Sequence, residues 1–309
     1  MTVIIMKADP ARAAQWKAIF NEEAPDIDFR IWPDAGDGGD IDCLLTWDIP
    51  DGLRESFPNL KVVHAIGAGV DHIDLTSIPD NVPLVRMVEP GIQAAMNEWA
   101  VMAILMSHRR MVDYGIQQRS SVWAEIQVPP ASARCVGVMG TGALGASVLA
   151  ALRPFGFRTR TWGRSRKPLD VGEQFAGRHE LEPFLAGCDI LVCLLPLTAE
   201  TRGILDRDVF SGLPRGATVI NVSRGGNLNQ GDLLAALDTG QVGAAILDVC
   251  DPQPLPPGHP FWSHPRILLT PHIATRTQAS TGARAVIANL RRLENGEPLE
   301  NVVDRHRGY

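Results

Sequence analysis

The chain has 309 residues, 45% hydrophobic and 21% charged, a composition that suits a folded globular protein of two ordinary domains and excludes a disordered one. Its formal net charge of −6 argues against a general nucleic-acid or membrane-surface binder, because either partner selects a dominant basic face. Five cysteines (Cys43, Cys135, Cys188, Cys193 and Cys250) are odd in number, scattered and mostly set in apolar runs, so they read as reduced core thiols of a cytoplasmic protein rather than disulfides or metal ligands.

The N-terminal stretch MTVIIMKADPARAAQW is one apolar strand followed by charge, without the pattern of a cleaved signal. No run approaches the roughly 18 apolar residues that span a bilayer. Strand-length runs follow in order: TVIIMKA, IDCLLTW, LKVVHAIG and VPLVRMV within the first hundred residues. A helical pattern over residues 97–120 comes next, with Trp99, Met102, Ala103, Met106 and Arg110 at spacings of three and four. The runs CVGVMG, RTRTWG, CDILVCLLP, ATVINVS, AAILDVC and RILLTPH come after it, and a second helix is predicted over 277–295. Strands alternating with helices at this spacing predict an α/β fold of two doubly wound parallel-sheet domains. One domain is placed at residues 1–97 plus 276–309 and the other at 98–275, so that the chain crosses twice and leaves an interdomain cleft.

The stretch CVGVMGTGALGASVLAALRPFGFRTRTWGRSRK carries the strongest local signal. A strand, Cys135–Met139, leads into Gly140, Gly142 and Gly145 and then into a helix with Leu144, Val148 and Leu152 on one face, the order that a dinucleotide-binding turn requires. Gly140 suits the tight turn, and Gly142 lets a pyrophosphate approach the N–H groups of the helix start, with Ala143 and Leu144 in its first turn. Gly145 permits close packing of helix on strand. The next strand ends in Arg164, Ser165, Arg166 and Lys167, with no acidic residue at the position that usually receives the ribose hydroxyls of NAD. Cations and a hydroxyl there suit a 2'-phosphate, so NADP(H) is expected in preference to NAD(H).

Three later motifs each follow a predicted strand: NVSRGG with Arg224, AAILDVCDPQP with Asp248 and Gln253, and TPHIA with His272. Together with the glycine turn they make the chain similar to the D-isomer-specific 2-hydroxyacid dehydrogenases. FAGRHELEPFLAGCDILVCLLP, DLLAALDTGQVGAAILDV, FWSHPRILLTPHIA and the terminal RGY resemble the glyoxylate/hydroxypyruvate reductase A branch of that family. The resemblance runs nearly end to end. It implies a Rossmann cofactor domain inserted in a flavodoxin-like substrate domain, NADPH-dependent reduction of small 2-oxo acids such as glyoxylate and hydroxypyruvate, and a homodimer.

That chemistry needs a hydride, a proton for the developing alkoxide, and a cation for the carboxylate and carbonyl. Arg224 suits the last role, because its planar guanidinium can bridge two oxygens. His272 suits the general acid, with an unperturbed pKa of about 6.5. By resemblance, Asp248 and Pro196 lie at the cofactor, the N–H groups of Ala68, Gly69 and Val70 in GAGVDHID receive the substrate carboxylate, and Trp47 in LTWDIP roofs a small pocket. Met96 and Trp99 in EPGIQAAMNEWA are expected to pack at the domain junction.

Gln253 departs from the family pattern, which has a glutamate paired with the histidine. A neutral amide orients the ring without stabilising its positive form, so His272 is expected to be less basic than in relatives that carry the carboxylate. Asp251, two residues upstream, falls on the same side of an extended segment and is an alternative source of charge. Glutamine at this place also resembles the NAD-dependent formate dehydrogenases, which makes formate oxidation an alternative. A non-catalytic dinucleotide-binding sensor is another, disfavoured by the presence of both Arg224 and His272.

Overall fold

A computed structural model describes residues 2–168 and 172–309. The described residues form two compact units, Met1–Ile92 with Arg276–Tyr309, and Gln93–Thr275. The first division falls at Ile92/Gln93, against the expected residue 97.

The first unit opens with β1 (Val3–Lys7), α1 (Pro10–Glu23), β2 (Asp28–Ile31), β3 (Cys43–Thr46), the short α2 (Leu53–Ser56), β4 (Val62–Ala65) and β5 (Leu84–Val85). Its sheet is parallel, in the order β2-β1-β3-β4-β5, the flavodoxin-like arrangement. Ile4 and Met6 alternate with Val3 and Ile5, and all four are buried, so both faces of β1 are covered. Asp9 starts α1 by accepting from Arg12 N at 2.9 Å, with Pro10 behind it.

Two helices follow, α3 (Pro90–His108) and α4 (Met111–Arg119). The sequence reads them as one helix over 97–120. The structure starts the first seven residues earlier, at Pro90, and breaks it at Arg110, whose φ of 59° lies in the left-handed region and turns the chain. Met96 and Trp99 are buried in the core of the second unit, in one apolar cluster with Val136 and Val138.

The second unit continues with β6 (Cys135–Met139), α5 (Ala143–Leu152), β7 (Arg158–Gly163), β8 (Glu173–Ala176), α6 (Leu181–Leu185), β9 (Ile190–Cys193), α7 (Arg207–Gly212), β10 (Ala217–Asn221), α8 (Gln230–Asp238), β11 (Val242–Leu247) and β12 (Ile267–Leu269). Its seven strands are parallel in the order β12-β11-β10-β9-β6-β7-β8. Leu191 and Cys193 face one apolar cluster while Ile190 and Val192 face another, so the sheet is buried on both sides. Val148, Leu149 and Leu152 anchor α5 to the second cluster; each fully buried aliphatic side chain stabilises by about 1.5–3 kcal/mol.

The chain then returns to the first unit in α9 (Ala279–Glu294), inside the expected 277–295. Its Arg291 and Arg284 bridge Asp26 and Glu23 at the end of α1. The tail pairs with β5 through Val302, and Arg305 donates to the carbonyls of Leu75, Ile78, Pro79 and Val82. Neither β2 nor β8 was predicted. Both are edge strands and only partly buried, so they lack the continuous apolar run that marks the central ones. Among the described residues no helix is long and apolar enough to cross a membrane, and no cluster of His, Cys, Asp and Glu could hold a metal ion.

Candidate active site

Because the seven-stranded sheet is parallel throughout, the C-terminal ends of its strands share one edge. In the order β12, β11, β10, β9, β6, β7, the chain leaves that edge into His272, Asp248, Arg224, Pro196, Gly140 and Arg164. Six motifs far apart in sequence thus stand in one row. The strand order reverses between β9 and β6, the switch point at which open α/β sheets bind ligands.

The glycine turn has a separate reason at each position. Gly140 has φ +116°, and a Cβ there would come within 2.8 Å of the Leu194 carbonyl oxygen. A Cβ on Gly145 would overlap the carbonyl oxygen of Gly140, so α5 can approach the turn only without a side chain. Gly142 is different. A Cβ there would meet nothing within 4 Å, so the protein's own packing leaves this position open to a ligand. Ala143 and Leu144 open α5, and the first N–H groups of a helix have no intrahelical acceptor, so the turn and helix start fit a pyrophosphate.

The basic turn after β7 needs one correction. Arg164, Ser165, Arg166 and Lys167 are all exposed, but a carboxylate does stand beside them. Glu180 bridges Arg166 at 2.6 Å and accepts from Ala176 N at 2.5 Å, which draws its carboxyl below the ordinary range, with the backbone hydrogen bond as the first cause. The pairing of β8 with β7 brings Glu180 there, and the sequence did not show β8. Arg166 is thereby shared with a structural ion pair.

At the other end of the row, Arg224 follows β10 and is held by a buried amide and hydroxyl network. Asn221 Nδ2 donates to Arg224 O at 3.0 Å, Ser223 Oγ lies 2.8 Å from Asn221 Oδ1 and 3.0 Å from Asn227 Oδ1, and Asn227 Nδ2 donates to Thr201 O at 3.0 Å. Arg224 Nη1 donates to Ser223 O at 2.7 Å. The Pro196 carbonyl accepts from Thr201 Oγ1 at 2.6 Å, tying the loop after β9 to the same network.

Asp248, 1% exposed, lies between the two catalytic candidates. Its Oδ1 accepts from Thr270 Oγ1 at 2.6 Å and Ile273 N at 2.9 Å, and its Oδ2 from Ala274 N at 2.8 Å. The carboxylate therefore staples both sides of His272, whose own N–H donates to the Asp248 carbonyl at 2.8 Å. His272 is half-buried with φ 54°, an uncommon backbone state for a residue with a side chain, maintained by these bonds. Its Nδ1 lies 2.9 Å from Gln253 Nε2, which leaves Nε2 as the ring's other polar atom.

In the first unit, Trp47 follows β3 and residues 67–70 follow β4, adjacent strands of its parallel sheet. The N–H groups of Ala68, Gly69 and Val70 donate to no acceptor among the described residues. Such a run of open donors is uncommon and fits an anion. Thr277 Oγ1 donates to Ile66 O at 2.6 Å and Met87 N to Gly67 O at 3.0 Å, holding the turn. Trp47 is 47% exposed and stacks on His72.

Sequence reasoning missed the supporting residues Asn221, Ser223, Asn227, Thr270 and His72. The small polar residues around NVSRGGN were a usable signal, since amides and hydroxyls flanking a charged residue after a buried strand must be satisfied locally. Thr270 and His72 gave none, because their partners are 22 and 25 positions away. The five cysteines form no disulfide, and burial is the first cause that lifts all five thiols, Cys43, Cys135, Cys188, Cys193 and Cys250, above the ordinary value.

Residues 101–274 match the profile of the D-isomer specific 2-hydroxyacid dehydrogenase, NAD binding domain. The chain is 40% identical over 303 residues to a glyoxylate/hydroxypyruvate reductase A of Yersinia enterocolitica, covering 96% of each. Among solved structures it is similar to a D-isomer specific 2-hydroxyacid dehydrogenase of Xanthobacter autotrophicus in complex with NADPH and MES, with TM-score 0.95 and 36% identity over 100% of this chain and 99% of the other. It is also similar to an NADPH-dependent glyoxylate/hydroxypyruvate reductase of Sinorhizobium meliloti in complex with NADP and sulfate, with TM-score 0.92 and 33% identity over the whole of both chains. With this sheet order, glycine turn and row of motifs, the chain belongs to the D-isomer-specific 2-hydroxyacid dehydrogenase family of NAD(P)-dependent oxidoreductases.

Proposed function

We propose that the protein reduces small 2-oxo acids, glyoxylate and hydroxypyruvate, to the 2-hydroxy acids with NADPH. The observation that carries this is the hydrogen bond between Gln253 and His272 Nδ1, on a histidine stapled by Asp248 at the same sheet edge as Arg224 and the glycine turn. The reductases named above support the substrate class, and the dinucleotides bound to the solved relatives support NADP(H). The dinucleotide, when bound, supplies the hydride.

The chain's own residues do the rest. Gly142 and the first turn of α5 receive the pyrophosphate, and Arg164, Ser165 and Lys167 the 2'-phosphate, with Arg166 shared with Glu180. Arg224 holds the carboxylate and polarises the carbonyl, while the N–H groups of Ala68, Gly69 and Val70 bind carboxylate oxygen and Trp47 limits the size of the acid. His272 delivers its Nε2 proton to the carbonyl oxygen as that oxygen gains charge. Gln253 keeps the ring oriented in both protonation states, because its amide can present either N–H or oxygen to Nδ1. Asp248 acts through the loop it staples.

A homodimer belongs to the same proposal. Met102, Met111, Val122 and the fully exposed Trp123 give the stretch from α3 to the segment beyond α4 apolar side chains for a second copy to cover. A cytoplasmic location fits five unpaired cysteines.

Steady-state oxidation of NADPH, with NADH in parallel, on glyoxylate, hydroxypyruvate, pyruvate and phenylpyruvate tests the activity. Rapid NADPH-linked turnover on the two smallest acids is expected. A protein silent on all four acids but active on formate with NAD or NADP would overturn the reading in favour of formate oxidation, to which Gln253 also points.

A further inference from the structure

We propose that His72 is a positioning residue that locks the indole of Trp47 and thereby sets the largest 2-oxo acid the protein accepts. The inference deepens the proposed function and rests on it through the role given to Trp47.

The imidazole and indole are stacked, with ring centroids 4.1 Å apart and planes 16° from parallel. In the same arrangement His72 Nε2 lies 2.6 Å from the Trp47 carbonyl oxygen. A carbonyl only accepts, so Nε2 carries the proton and donates. One side chain therefore holds residue 47 at two points, its backbone oxygen and the face of its ring. Gly67 adds a third contact. A Cβ there would lie 2.7 Å from indole Cζ3, so the ring rests directly on the turn that carries the open N–H groups of Ala68, Gly69 and Val70.

An exposed aromatic ring ordinarily samples several rotamers. Here a ring with nearly half its surface open is held by a stack, a tether and a missing side chain. Ordering the ring before binding removes that cost from the binding step and gives an acid a fixed wall instead of a yielding one. A fixed wall rejects larger side chains. A ring free to swing away would admit them.

The test compares His72→Ala, His72→Phe and His72→Gln, each in the parent and in Trp47→Phe. The chain has seven tryptophans, so the emission of Trp47 is read as the difference between each variant and its Trp47→Phe counterpart. Removing the stacked imidazole is expected to change that difference emission. In kinetics, His72→Ala is expected to raise KM for glyoxylate with kcat nearly unchanged, and to shrink the preference for glyoxylate over phenylpyruvate by about 10-fold, the scale of a steric pocket contact. His72→Phe keeps a stacking ring and should restore part of the preference, and His72→Gln, with a donor but no ring, less of it. In the Trp47→Phe background, His72→Ala should change the preference little further, because the two residues act as one unit. Unchanged difference emission overturns the lock, and additive effects of the two substitutions, or an unmoved preference, overturn its role in specificity. A parent silent on every 2-oxo acid defeats the functional reading and the specificity claim together, while the emission difference still decides the lock.

Discussion

Asp248→Asn separates two accounts of the acid between Arg224 and His272, a cofactor contact or a staple for the histidine loop. The carboxylate accepts three hydrogen bonds, two on Oδ1 and one on Oδ2. An amide keeps the shape but has one accepting atom. In its better orientation the oxygen faces Thr270 and Ile273, and the NH2 group faces the N–H of Ala274, which then has no acceptor. Losing a charge-assisted bond costs about 1.5–3 kcal/mol, and leaving a buried N–H unsatisfied costs about 1–3 kcal/mol, so a loss on the order of 4 kcal/mol is expected. For a unit of this size that corresponds to a drop in Tm on the order of 10 °C. The loop that orients His272 is the part released, and a misplacement of about 1 Å lowers kcat by about 10²-fold. Circular-dichroism melting, steady-state NADPH oxidation and a fluorescence titration with NADPH read the three quantities. The staple account expects Tm and kcat to fall with the dinucleotide Kd unchanged. An Asn variant that melts and turns over like the parent, or one that loses only dinucleotide affinity, refutes it.

Other expectations follow from the same geometry. Gln253→Glu places an acceptor-only carboxylate on His272 Nδ1, favouring the imidazolium, so the high-pH fall of the reduction rate should move up by about one pH unit; an unmoved profile removes the charge argument. Gly142→Ala adds a Cβ in open space and should leave Tm intact while weakening NADPH binding at least 10-fold, whereas Gly145→Ala collides with the Gly140 carbonyl and should lower Tm; a destabilised Gly142→Ala counts against a ligand-facing role. Burial holds His64, in the middle of β4, down to about 4 from 6.5. The unfolded chain takes up that proton near pH 6.5 and the folded one only near pH 4, so stability present above 6.5 is lost as pH falls to 4, by about 3 kcal/mol. His64→Leu should flatten the acid limb in denaturant titrations; an identical limb excludes His64 as its source.

The central strands were legible because each is a short apolar run buried on both faces, and β6, β9, β10 and β11 all appear among the predicted runs. The edge strands β2 and β8 were not, since a half-buried strand carries a diluted pattern. Missing β8 also hid Glu180, which is why the basic turn looked free of carboxylates. Apolar spacing continues across Arg110 and so predicts one long helix, whereas the break is a property of one backbone dihedral.

Local sequence determined the glycine turn and the parallel α/β class and marked Arg224, Gln253 and His272 as candidates, because each signal depends on residue types within a few positions of one another. Which atom meets which was decided only in three dimensions. The sheet order sets His272, Asp248 and Arg224 on neighbouring strand ends, and hydrogen-bond partners 22 to 26 positions away turn Asp248 toward the histidine loop. In the first unit, His72 lies on an indole 25 positions earlier. Hydrogen bonds and ring stacks act over a few ångströms of space, and only the folded sheet brings such distant positions that close.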